Sequence, residues 1–548
     1  MQMMDEEVRK RYQRIKATES AISPFNPSRV SRFIRKLKLG RAPGPDGVTP
    51  EHLKYANNDS LTLLLSKLLN CCVHYGCLPS SFTNGTLIPL LKKPSLDPGL
   101  PNNYRPIIVS SVLSKLIEYA ILEESSDHAF DPSQYGFVNG RSTQMAICTT
   151  QDVITFCNNR GSPVYACGLD VEKAFDGVPH CVLLTKSINI IQDHWWRLLH
   201  YWYDNTTAAI KYKGKMSHPF ELKTGTRQGG LTSPFLFNLV YQDLIKELSR
   251  TTGGIRIGQC TYNVCCYADD LVLTSLTVTG LQNLINCAND YVKKHGISFN
   301  AKKSTCAVFG KNYFTSPLHW SINAETVFVS SSIDHLGVLL CDSPKYHVEK
   351  QIAQTRKAFY TLQASGLCEH GVKPHLKSYL WRTALQPVLM YGMECIPLHR
   401  ADKRKMESLQ ARLIKATLGL SKYMRSTPLL HAMKITKCAT LVDIQSVKLL
   451  KSIMCNDSRS KNLYIHFICS NVNSCSTLLS RFNEIVSING ISTIRALLND
   501  NDVNCLVREM KAHPVNDGVI DSCRTLLQQY SQEDKEMLKL ILTPNNFM

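Results

Sequence analysis

Aspartates stand in this chain where aspartates are seldom placed. Asp170 closes the apolar run YACGL (165–169), and Asp269 and Asp270 follow the apolar run YNVCCY (262–267) after a single alanine. Acids are depleted in strands, and a carboxylate set among apolar residues is costly unless a partner offsets it. A divalent metal is the simplest partner. Carboxylate oxygens are hard donors that suit Mg²⁺, and two such ions about 4 Å apart can activate an attacking oxygen and stabilise a leaving one in phosphoryl transfer. Neighbouring strand side chains point to opposite faces, so Asp269 and Asp270 cannot both aim squarely at one point. Asp269, nearer the aromatic anchor Tyr267, is expected as the full partner of Asp170, and Asp270 as a helper. Carboxylates this close repel one another, so without metal at least one is expected to have a raised pKa, which Mg²⁺ would lower again.

Placing these acids together requires two strand ends side by side. The run 262–267 and the run LVLTS (271–275) read as the arms of a hairpin with residues 268–270 at its tip, while 165–169 reads as a short strand that passes at 171–175 into a turn or helix. Gly225, Arg227, Gln228, Gly229 and Gly230 form a glycine-rich turn, after which Ser233 and Pro234 open the apolar helix PFLFNLVYQDLIKEL. Glycines let backbone approach a base or sugar closely, and a glutamine amide both donates and accepts. Between 345 and 425, fifteen basic residues stand against five acids, with helical periodicity in QIAQTRKAFYTLQAS and ESLQARLIKATLGL. A basic helical stretch of this kind suits the phosphates of a duplex. The whole chain agrees, with 63 Lys and Arg against 44 Asp and Glu and a formal charge of +19, a balance that favours a polyanionic partner.

In chain order the sequence carries GRAPGPDGVTPEHL (40–53), NNYRPIIVSSVLSKLIE (102–118), SQYGFVNGRST (133–143), LDVEKAFDGV (169–178), GTRQGGLTSPFLFNLV (225–240), YADD (267–270), GISFNAKKST (296–305) and HLGVLL (335–340). This ordered set resembles the reverse transcriptases of non-LTR retrotransposons, the LINE-type elements. The resemblance implies an α+β fold shaped as a right hand. Fingers and palm would span 25–340, with an antiparallel palm sheet backed by helices and mixed fingers. A helical basic thumb would follow over 341–430, with an N-terminal helical extension before the hand (1–24) and a helical C-terminal region of unassigned role after it (431–548). The reaction implied is RNA-directed DNA polymerisation, the template-directed transfer of a nucleotide from a dNTP to a primer 3′-hydroxyl. Its implied requirements are two Mg²⁺ ions (Mn²⁺ a substitute), an RNA template and a DNA primer.

Carried onto this chain, the resemblance makes Asp170 and Asp269 similar to the two metal-binding aspartates of a palm, with Asp270 the third acid and Val171 an adjoining metal and substrate position. Phe175 looks like the steric gate over the sugar of the incoming nucleotide, and Gln228 and Gly229 like the loop that meets it. Arg105, with Lys92 and Lys93 upstream, is similar to the fingers grip on the triphosphate, where a planar guanidinium donates two parallel hydrogen bonds. Lys303, with Lys302 a close rival, resembles a palm lysine near the leaving pyrophosphate. Arg141 and Arg227 would meet the template, and Lys403, Arg404 and Lys405 the duplex. One departure is visible: Val138 follows Phe137 where the family usually has a basic residue, which leaves the groove Arg141 and removes a second cation.

The first 24 residues read as a charged helix ended by a Ser-Pro break, with no signal-peptide core and no run of eighteen apolar residues in the chain, so a soluble intracellular protein without a membrane partner is expected. The 21 cysteines form no Cys-x-x-Cys and read as buried reduced thiols. Upstream of the hand there are too few residues for an endonuclease domain. The tail has no acid-rich nuclease cluster and no RNase H pattern, so a polymerase module apart from its target-cutting partner is expected. The rival readings are a catalytically inactive nucleic-acid-binding remnant and an intron-encoded reverse transcriptase or maturase.

Overall fold

The computed structural model describes residues 1–16, 23–227, 229–310, 318–340, 343, 345–456, 458–470, 472 and 476–489. Helix α1 (Gln2–Lys16) is charged along most of its length, but Val8 and Ile15, two turns apart, are buried and Tyr12 stacks on His200 at 4.3 Å. It thus lies against the body of the protein as an amphipathic helix. Strands β1 (Asn84–Leu91) and β2 (Tyr104–Ser110) form an antiparallel hairpin. Helix α2 (Thr143–Asn159), capped by the Ser142 hydroxyl that accepts from the Met145 amide, leads to β3 (Val164–Leu169) in a second sheet. The chain then returns to the first sheet as β4 (Thr207–Tyr212), parallel to β1.

Helix α3 (Ser233–Arg250) follows, with Pro234 in its first turn, where proline's missing N–H costs nothing. The hairpin β5 (Val264–Tyr267) and β6 (Asp270–Ser275), helix α4 (Val278–Lys294), β7 (Thr305–Phe309) and β8 (Phe328–Ser330) complete the second sheet in the order β8-β7-β3-β6-β5. This is the sheet expected to be the palm. Every pairing among β7, β3, β6 and β5 is antiparallel, and β8 alone joins parallel, at the edge.

The apolar runs that mark these strands are nearly continuous because both faces of the sheet are covered. Along β3, Val164 and Ala166 enter a core shared with α2, whereas Tyr165, Cys167 and Leu169 enter a second core shared with α3 and α4. Each large apolar side chain buried this way stabilises the fold by about 1.5–3 kcal/mol relative to exposure. A short hairpin, β9 (Ile333–His335) and β10 (Val338–Leu340), passes the chain to the helices α5 (Lys345–Ala364), α6 (Arg400–Leu418), α7 (Cys438–Cys455), α8 (Arg459–Cys469) and α9 (Thr477–Asn489). Buried residues from all five belong to the α2 core, so that core runs without a break through residue 430. The stretch CRTLLQQY (523–530), read as helical, lies outside the described residues. Every described cysteine is free, and no helix among the described residues is long and apolar enough to cross a membrane.

Candidate active site

The site is set by register. Leu271 of β6 pairs with Leu169 of β3 at the end of an antiparallel ladder, so Asp270 and Asp170 are the next residues on the two adjoining strands. On its other side Asp270 pairs with Tyr267, which leaves Ala268 and Asp269 as a two-residue turn. The turn is tighter than a three-residue tip, since Asp270 already belongs to the strand. Ala268 has φ +56°, a left-handed conformation that costs an L-residue roughly 1–2 kcal/mol. Its amide donates to Gln134 Oε1 at 3.1 Å. Asp170 is anchored from the opposite side: its amide donates to Ser304 Oγ at 3.1 Å and its carbonyl accepts from the Asn300 amide at 2.8 Å.

These carboxyl groups feel one another. The pKa of Asp269 is raised, first by burial and then by the negative charge of Asp170, with Arg105 pulling it back. The pKa of Asp270 is pushed up to about 6, first by partial desolvation over the packed hairpin and then by Asp269, Asp170 and Asp334 in turn. Charge alone was the cause anticipated; loss of water is the larger one. Oxygen donors on two adjoining strand ends match what a hard divalent cation needs. Among the described residues no group of three His, Cys, Asp or Glu side chains is gathered into a ready-made cage. Val171 is buried, with its main chain bridged to Phe299.

Around the acids the structure sorts the remaining residues. Arg105, exposed on β2, lies close enough to Asp269 to lower its pKa. Lys303 Nζ is 3.7 Å from Asp170 Oδ2, which separates it from Lys302. Lys92 donates from Nζ to the Asn102 carbonyl at 2.9 Å, closing the turn of the β1–β2 hairpin. Phe175 stacks on Phe237 at 4.3 Å and meets Phe137 edge-on at 6.0 Å, in a helical turn spanning Ala174–Gly177. Gly229 has φ +106°, and a Cβ there would come within 2.8 Å of the Ile108 carbonyl on β2, so the glycine-rich loop lies tight against the β1–β2 hairpin. Gln228 lies outside the described residues.

Arg227, Arg141 and Lys403 are placed differently from the role expected of exposed cations. Arg227 is buried, with its guanidinium 3.9 Å from the centre of the Trp202 ring; burial lowers its pKa and Glu118 partly restores it. A strand of nucleic acid cannot reach it. Arg141 donates to the carbonyls of Asp131, Gln134 and Phe130, so it fastens the 130–134 loop. Lys403 pairs with Asp443 of α7 at 3.3 Å and ties α6 to its neighbour. Sequence shows where positive charge is, and it does not show which charges have an internal partner. Arg404 and Lys405 line a groove of about 470 Å³ between α5 and α6 together with Arg356 and Arg412, with Lys405 also 3.9 Å from Glu349 and 4.0 Å from Asp402.

Arg356 of α5 and Arg412 of α6 were missed as site residues, although the i, i+8 spacing of Arg404 and Arg412 along one face of α6 was a usable signal. Asp334 was missed as well; it pairs with Lys350 at 2.8 Å and adds its charge to the Asp270 environment. So was Gln134, inside the SQYGF stretch, for which only a glycine beside a buried tyrosine hinted at close packing.

Residues 91–340 match the family described as reverse transcriptase (RNA-dependent DNA polymerase). The Pol polyprotein of the type-2 retrotransposable element R2DM of Drosophila melanogaster is 27% identical over 400 residues, covering 70% of this chain and 36% of that protein. The RNA-directed DNA polymerase of the mobile element jockey of Drosophila funebris is 24% identical over 430 residues, covering 76% of this chain and 46% of that protein. The chain therefore spans less than half the length of these relatives. Among solved structures, apo telomerase from Candida tropicalis, truncated from its C-terminal domain, is 13% identical with a TM-score of 0.35, covering 52% of this chain and 59% of that one.

Proposed function

We propose, for a chain whose residues 91–340 match the reverse transcriptase family, that it is an RNA-directed DNA polymerase of the retrotransposon kind, extending a DNA primer along an RNA template. The observation that carries the reading is the β3–β6 register, which sets Asp170 and the Ala268–Asp270 turn on adjoining strand ends. Asp170 and Asp269, with the Val171 backbone and Asp270 beside them, would hold two Mg²⁺ ions. When bound, the metal supplies the positive charge that activates a primer hydroxyl and steadies departing pyrophosphate.

The chain's own side chains bind and orient. Arg105, beside Asp269, is suited to hold the triphosphate with its planar fork. Lys303 can exchange its carboxylate partner for a phosphate oxygen, since an exposed ion pair is worth little. Phe175, fixed by its stack on Phe237, presents a ring that would exclude a 2′-hydroxyl. Gly229 would bring backbone close to the nucleotide. Arg356, Arg404, Lys405 and Arg412 would track duplex phosphates in the thumb groove. No covalent intermediate is needed, so catalysis comes from positioning and charge. The test is primer extension with dNTPs and Mg²⁺ on RNA and DNA templates of one sequence, side by side. Incorporation on the RNA template is expected; RNA binding without incorporation would reject the reading in favour of a non-catalytic binding protein.

A further inference from the structure

The turn that carries Asp269 is held from behind. Segment 133–136 is buried and runs alongside β5, the edge strand of the palm sheet: the Tyr135 amide donates to the Cys266 carbonyl at 2.7 Å and the Cys266 amide to the Ser133 carbonyl at 3.0 Å. Within it, Gln134 Oε1 accepts from the Gly136 amide at 3.0 Å and from the Ala268 amide at 3.1 Å, while Nε2 donates to Cys266 Sγ at 3.3 Å. A Cβ on Gly136 would fall 2.4 Å from the Ala268 nitrogen, so segment and turn are in full contact. The left-handed Ala268 peptide is thus held by one side chain of a neighbouring segment.

That segment is in turn gripped by the first turn of α8, more than 300 positions along the chain. The Arg459 amide donates to the Pro132 carbonyl at 3.0 Å and Arg459 Nε to Ser133 Oγ at 3.2 Å. The Ser460 amide and hydroxyl each lie 3.1 Å from the Tyr135 hydroxyl, and Ser460 Oγ is 2.6 Å from Thr149 Oγ1 of α2. Buried Asp152 of α2 accepts from Tyr464 and Ser476 at 2.6 Å, fastening the same helices a turn further on. Buried hydrogen-bond networks that are fully satisfied fix a single arrangement, because any alternative leaves polar groups unpaired. None of these C-terminal residues is among the groups that meet the three carboxylates.

We infer that the first turn of α8 is a remote clamp on the catalytic turn: Arg459 and Ser460 are positioning residues that hold segment 132–136 and, through Gln134, the peptide bearing Asp269. The helices after residue 430 thereby set the geometry of the chemical step, and for that consequence the inference rests on the polymerase reading. Loss of the clamp lets the turn relax toward an ordinary backbone conformation and displaces one carboxylate of a site that tolerates little displacement.

The test uses the full chain with Ser460→Ala, Ser460→Thr and Tyr135→Phe, the last removing the same hydroxyl junction while keeping the ring. Amide hydrogen exchange is followed by mass spectrometry over residues 262–270, with α4 as an internal reference. In Ser460→Ala and Tyr135→Phe, exchange across 262–270 is expected to quicken by about tenfold, the scale of one lost hydrogen bond, with α4 unchanged. Primer extension by the same variants is expected to lose about ten- to a hundredfold in kcat, with KM for dTTP and affinity for template and primer retained, and Ser460→Thr should restore both readouts. Unchanged exchange across 262–270, or a quickening shared equally by α4, would overturn the clamp. A wild-type chain that extends nothing would instead overturn the polymerase reading, and the exchange comparison would still decide the clamp.

Discussion

Asp270 shows how a single carboxyl group can report on the site. Its pKa is pushed up to about 6 while Asp269 is also raised, so on acidification through about pH 6 Asp270 takes up a proton that a bound cation would have to displace. A carboxyl whose folded pKa lies above its unfolded value destabilises the folded state as it ionises, so this group's contribution favours folding below the unfolded carboxylate range and fades as pH rises through about 6. Extension is expected to fall as pH drops through that window, and raising Mg²⁺ should move the acid limb to lower pH. A limb that ignores Mg²⁺ concentration would show that another group controls it. The types and spacing of Asp170, Asp269 and Asp270 were enough to expect raised pKa values, because charge repulsion is read directly from proximity. Desolvation was not legible, since it depends on what packs around the hairpin. The same limit explains Arg227: its positive charge is plain in the sequence, whereas the Trp202 ring and Glu118 that absorb it come from segments 25 and 109 residues away.

Secondary-structure elements carry the site by close backbone approach. The strands 165–169 and 271–275 were readable because both of their faces are buried, which makes their apolar runs continuous, and the helix at 233–250 was readable from its Ser-Pro start and apolar run. Left unread was the exact turn, since alanine carries no signal for φ +56° and Gln134 imposes that conformation from another part of the chain. The glycine-rich loop offers a test at this scale. Gly229 sits at φ +106° with the Ile108 carbonyl 2.8 Å from where a Cβ would be, so Gly229→Ala meets both backbone strain and a clash with main chain. Such substitutions cost of order 1–3 kcal/mol. A lowered Tm together with an increased KM for dNTP is expected; a wild-type melting curve would show that the loop can move away from β2.

Across the whole molecule, positive charge is divided between structure and surface. The count of fifteen basic residues in 345–425 pointed to a duplex-binding thumb without saying which of them face it. Arg356, Arg404, Lys405 and Arg412 share one groove, while Lys403 is committed to Asp443. Neutralising the four groove residues is expected to reduce the slope of log affinity against log salt by about one for each phosphate left without its cation, measured by filter binding on a template–primer duplex. Lys403→Ala should leave that slope unchanged and lower stability instead. Equal slopes for the two variants would place the duplex elsewhere. The most direct test of the central claim, that carboxylates 170 and 269 together form the site of nucleotidyl transfer, is extension of a primer on poly(rA) with dTTP and Mg²⁺ by the Asp269→Asn chain beside the wild type. Incorporation by the wild type and its abolition in the variant, with RNA binding retained, is the result predicted. Equal incorporation by both would contradict it.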